Sequence, residues 1–159
     1  MSARTALIDP AASDAASVAW QRIVAQDPAR SAALNRFVQV NDLIEANVAG
    51  GMNANLAFLR GLGEAGGGVG ARDEQGLLAD IWSQEDVIRA ETSDWLLPYL
   101  ALAYRPLATT ELEAYSDFCA SPAGQALNRA MLTAFDALFV QISTELGRAA
   151  GRLMSGSDL

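Results

Sequence analysis

The stretch GLGEAG, Gly61 to Gly66, matches the G-x-G-x-x-G of dinucleotide-binding turns letter for letter. That pattern works when a strand delivers its glycines to a helix N-terminus, whose unpaired amides hold the pyrophosphate. Here the glycines follow a helical run, and more glycines stand where a helix should begin. The segment therefore reads as a mobile Gly-rich loop over 61–72, with no cofactor. A Walker phosphate loop is excluded more simply, because it needs a Lys and the chain has none.

Other chemistries fail on inventory. All 11 basic residues are Arg, and there is no His. With no His and the single Cys119, the usual zinc sites cannot be built within one chain. The Glu-x-x-His pairs of helical di-iron sites are missing for the same reason, and no stretch has the Asp, Asn and Gly spacing of an EF-hand loop. A nucleophilic Ser or Cys needs a base, and His and Lys, the common ones, are both lacking. Cys119 sits beside Phe118 on an apolar face and reads as a small core residue. Asp73-Glu74, Glu85-Asp86 and Glu111 with Glu113 fall near helix starts, where the macrodipole favours negative charge. No catalytic and no metal-binding residue is assigned. A carboxylate-pair hydrolase is the one enzyme class left open, because sequence does not give the distance between carboxyls.

The aromatic residues are a different matter. Trp82, Trp95, Tyr99 and Tyr104 lie within about two helices. They read first as core; the alternative is an apolar groove framed by Trp82, Trp95 and Tyr99, suited to a lipid-like molecule or a partner helix. GRAAG, Gly147 to Gly151, has the G-x-x-x-G spacing of close helix contacts. In an amphipathic helix it marks a tight crossing or a weak C-terminal end.

Composition limits the partners. At 159 residues, 51% hydrophobic and 19% charged, the chain has the length and apolar content of one folded domain. Its net charge of −8 opposes binding to nucleic acid and to anionic lipid surfaces. The most apolar run, Trp95 to Tyr104, is about half the ~20 residues a spanning helix needs, so no transmembrane segment is expected. A lone Cys forms no intramolecular disulfide. The N-terminus lacks the three-part pattern of a signal peptide, which leaves a cytosolic protein or a mature or trimmed form as the expectation.

These residues must be positioned by helices, since no period-two alternation appears. Residues through Ile8 are expected to fray. Asp9-Pro10, Asp27-Pro28 and Ser121-Pro122 each read as an N-cap followed by Pro at the first helical position. Leu34, Phe37, Val38, Ile44 and Val48 recur at helical spacing, with Asn41 among them as a hydrogen-bonded polar group, and Gly50-Gly51 marks a break or kink. Ser83 with Asp86 starts a helix, supported by a Glu85–Arg89 pair, and Pro98 should kink or split it. Thr110 and Glu113 make a capping box. The longest periodic run follows Pro122: Leu127, Met131, Phe135, Leu138, Ile142, Leu146, Ala149 and Leu153. Gly124, unfavourable in a first helical turn, implies a helix passing too close for a side chain. The expectation is one all-α domain, an irregular bundle of about six helices with no sheet.

At this point LATTELEAYSDFCASPAGQALNRA, Leu107 to Ala130, resembles the core of the bacterial family designated domain of unknown function 2059. Its pattern is a Thr-started helix with Glu-Leu, an aromatic pair, then Ser-Pro-x-Gly-Gln and a long helix. Here these are Thr110, Glu111, Leu112, Phe118, Ser121, Pro122, Gly124 and Gln125, with Cys119 where an aromatic usually follows the Phe. ELGRAAGRLM, Glu145 to Met154, and VNDLIEANVAGGMNANL, Val40 to Leu56, are similar to versions from alphaproteobacteria. The resemblance implies a helical protein exported to the bacterial periplasm, with no catalytic residue to carry over. The expectation is a non-enzymatic envelope protein that binds a protein partner or itself. The alternatives are a carrier of an apolar small molecule and, for location, the cytoplasm.

Overall fold

A proline at the first position of a helix loses no hydrogen bond, because that amide is unpaired in any case. Three helices of this protein begin on one. The computed structural model describes residues 10–66 and 74–156. Among them are seven helices and no strand: α1 (Pro10–Gln26), α2 (Pro28–Val40), α3 (Leu43–Glu64), α4 (Glu74–Trp82), α5 (Glu85–Ala103), α6 (Thr109–Ala120) and α7 (Pro122–Ser155). The all-helical architecture read from the pattern is the one present. The fraying expected through Ile8 lies outside the described residues, as does the part of the Gly-rich loop beyond residue 66.

Four local readings need correction. Of the break or kink expected at Gly50-Gly51, no break occurs there; the helix boundary falls at Asn41-Asp42, where Asp42 takes a left-handed φ of 51°. Asp tolerates that region; beside it, the Asn41 side-chain amide donates to the Phe37 carbonyl at 2.9 Å. α3 then continues through both glycines, since weak propensity yields to a helix that is otherwise supported. It continues through Gly61 as well, so the expected loop start is helical up to Glu64, and the turn comes at residues 65–66. α6 starts at Thr109, one residue before the Thr110 expected to cap it. The Glu111 carboxylate, not that of Glu113, accepts from the N-cap amide of Ala108 at 2.7 Å; Ala108 has no side-chain oxygen to complete a box. Finally, of the kink or split expected at Pro98, the split does not occur: α5 runs undivided through this buried residue. The Pro98 ring removes the amide that would serve the Asp94 carbonyl, and Asp94 is exposed, where water can serve it.

Contacts gather into two compact units. One comprises the described residues up to Ile44 with Ala90–Arg129; the other comprises Glu45–Arg89 with the described residues from Ala130 on. The first has a filled core. Leu34 and Leu112 are 0% exposed, and Phe37, Val38, Leu96, Leu100, Ala101 and Cys119 pack around them. Phe37 stands edge-on to Tyr104 at 5.0 Å and stacks on Tyr115 at 5.4 Å between ring centroids. Burial pushes the Tyr104 hydroxyl up to about 12, since the phenolate would lose its water. The buried Arg30 donates to the carbonyls of Tyr104 and Leu107, in the turn after α5, where a positive charge is favourable. Among the described residues no buried side-chain polar atom lacks a partner.

Candidate functional site

The second unit is built on small residues. Where α3 and α7 cross, the backbones touch, and a Cβ on Gly61 would collide with the Thr144 carbonyl oxygen. A Cβ on Gly147 would collide with the Phe58 carbonyl oxygen, and one on Gly151 would lie 2.6 Å from that of Leu62. The G-x-x-x-G of GRAAG is thus the α7 side of a tight crossing, and Gly61 of the fingerprint-like stretch is its α3 side. Arg148 ties the same crossing at its edge, to Glu64 across it at 2.8 Å and to Glu145 on its own helix at 2.7 Å.

Nearer the start of α3 the same two helices leave space. A groove of about 750 Å³ is lined by Ala46, Gly50 and Gly51 on α3 and by Leu132, Phe135 and Phe139 on α7, among others. A Cβ on Gly50 would meet nothing within 4 Å, so the absent side chain is part of the trough. Asn53 donates to the Asp136 carboxylate at 3.1 Å, and Asn47 and Thr133 add polar groups to a lining that is otherwise small or apolar. Asp136 is the one carboxylate of that lining among the described residues. Beyond the groove, Arg89 bonds both Glu85 and Glu45. Its guanidinium holds the Glu45 carboxyl below the usual carboxylate range.

The outer face of α7 is the third feature. Met131, Phe135, Leu138, Ile142, Leu146 and Leu153, with Ala149 in the same row, recur once per helical turn. Amphipathic reasoning would bury such a row against the rest of the chain. Instead it stays open, from 49% exposed at Leu138 to 73% at Leu153, with Phe139 at its edge 54% exposed.

The residues singled out from the sequence are placed differently. Trp95 and Tyr99 pair edge-to-face at 6.0 Å in the first unit, with Tyr99 against its core. Trp82, 63% exposed, ends α4 in the second unit. None of the three lines the groove described above. The Ser-Pro-x-Gly-Gln residues do structural work in the first unit. The Ser121 hydroxyl donates to the Phe118 carbonyl at 2.6 Å and accepts from the Gly124 amide at 3.1 Å, with Pro122 first in α7. A Cβ on Gly124 would collide with that same Phe118 oxygen and lie 2.8 Å from the Cys119 Cα. Gln125 donates to the carbonyls of Val40 at 2.7 Å and Cys119 at 2.9 Å, in the last turns of α2 and α6, and Asn128 donates to that of Asn41 at 3.0 Å. Thr110 is exposed in the first turn of α6, and Phe118 stacks on Tyr115 at 6.5 Å.

The groove was missed because Gly50-Gly51 reads as a break or kink, whereas on a helix Ala46, Gly50 and Ala54 make a face with nothing on it. The signal was the four-residue spacing of small residues. No group of His, Cys, Asp and Glu able to hold a metal occurs among the described residues, and no helix among them is long and apolar enough to cross a membrane. Neither a protein-family model, nor a curated protein, nor a solved structure matches this chain.

Proposed function

We propose that this protein is a non-enzymatic helical interaction module that binds through the outer face of α7. One observation carries the reading: a row of large apolar side chains, each about half exposed or more and interrupted only by the small Ala149, along the longest helix. Soluble proteins rarely leave contiguous apolar surface of this kind open unless it meets another surface. The resemblance of Leu107–Ala130 to the exported family 2059 supports the bacterial envelope as the setting. A photo-crosslinking phenylalanine analogue in place of Leu138, in cells of the host, should give a protein adduct. The same analogue in place of the exposed Asp117, on α6, should give none. No adduct at Leu138 would defeat the reading.

A second reading, a carrier of an apolar small molecule, is favoured by the groove between α3 and α7. Its volume of about 750 Å³ falls in the range of small-molecule sites, and its lining is mostly apolar. Native mass spectrometry of protein isolated gently from its host would show a small bound mass; a bare chain would count against it.

A further inference from the structure

The stripe on α7 has a symmetry of its own. On the interaction reading just given, we infer that its occupant is a second copy of this chain, paired antiparallel about a two-fold axis at Ile142. Leu138 and Leu146 each lie four residues from Ile142, Phe135 and Ala149 seven, and Met131 and Leu153 eleven. Four, seven and eleven residues are close to whole turns at 3.6 residues per turn, so all seven stand in one straight row. The repeat is 4-3-4, eleven residues, which keeps a row nearly parallel to the helix axis.

Between Met131 and Leu153, with Leu127 lying beyond this stretch, the row also reads the same in both directions. A two-fold interface requires that if one residue meets another, the second meets the first across the axis. A row with equal spacing on either side of Ile142 meets that condition, and a surface shaped for an unrelated protein has no need to. The pairing sets Met131 against Leu153, Leu138 against Leu146 and Ile142 against itself. It sets the large Phe135 against the small Ala149, which lets two helices interdigitate at native density.

Area agrees. Taking ~200 Å² for a large free side chain, the exposed fractions of the row and Phe139 come to roughly 800 Å² per copy if all of it is covered, what each partner contributes to a stable interface.

The test uses the full purified chain. Light scattering after size exclusion should give twice the chain mass of 16.8 kDa. Ile142→Glu places two carboxylates on the axis in a desolvated contact, and like charges there cost several kcal/mol, a rise of more than ~100-fold in dissociation constant. That variant should run as a monomer with unchanged helical circular dichroism, because Ile142 is exposed within the single chain. Register is tested separately. Ile142→Cys should form a disulfide-linked dimer on mild oxidation. Met131→Cys should link efficiently only when mixed with Leu153→Cys. A monomeric wild type, a dimer indifferent to Ile142→Glu, or Met131→Cys linking to itself would each overturn the proposal. A monomer in vitro with a heavier, unlike adduct at Leu138 in cells would overturn only the second copy. A monomer with no adduct would overturn the interaction reading too.

Discussion

The two units of this protein hold their helices together by opposite means. In the first, side chains fill the space between helices: Leu34 and Leu112 are wholly enclosed, and aromatic rings close around them. In the second, α3 and α7 meet where side chains are absent, with Gly61, Gly147 and Gly151 against carbonyl oxygens. A filled core encloses its central side chains, although Tyr115, Phe118 and Leu127 stay exposed at its edge. A backbone-to-backbone crossing uses the small residues of each helix and leaves the large Leu138 and Ile142 on the far side, with Phe135 between that face and the groove. The open groove and the open stripe therefore follow from the way the second unit is packed.

The comparison can be broken by substitution. Leu112→Ala in the first unit should cost the most, about 2–5 kcal/mol in urea unfolding, because it removes a wholly buried side chain and leaves a cavity. A loss below ~1 kcal/mol would mean that the site collapses and that the core is not rigidly packed. In the second unit, Gly147→Ala should destabilise by about 1–3 kcal/mol through overpacking against the Phe58 carbonyl, although Ala is the better helix former. The smallest effect has the opposite sign. Gly50→Ala, where an added methyl meets nothing, should stabilise by about 0.4–1 kcal/mol and raise Tm. If Gly50 and Gly147 responded alike, the distinction between an empty glycine and a jammed one would fall.

Much of this was legible in the residues. Asp27-Pro28 and Ser121-Pro122 announce helix starts by chemistry that acts over three or four positions, and the capping bonds to the Arg30 and Gly124 amides are local. Gly124 implied a close approach, because a glycine there has no local reason. The Thr110 capping box failed because two Glu residues stand two apart, and either can reach back to an amide. The break read at Gly50-Gly51 failed because glycine weakens a helix by only ~1 kcal/mol each, less than the rest of α3 supplies.

The sequence by itself determined that the described residues fold as helices without a sheet, where most helices begin, and that the chain offers no His or Lys side chain, since these depend on residue type and on spacings of a few positions. Only the tertiary structure decided which face of α7 is covered. Both faces of that helix are apolar or small enough to be buried, so periodicity does not choose between them. The choice falls to Gly147 and Gly151, because only a face without side chains lets the α3 backbone approach, and the row through Ile142 is left open.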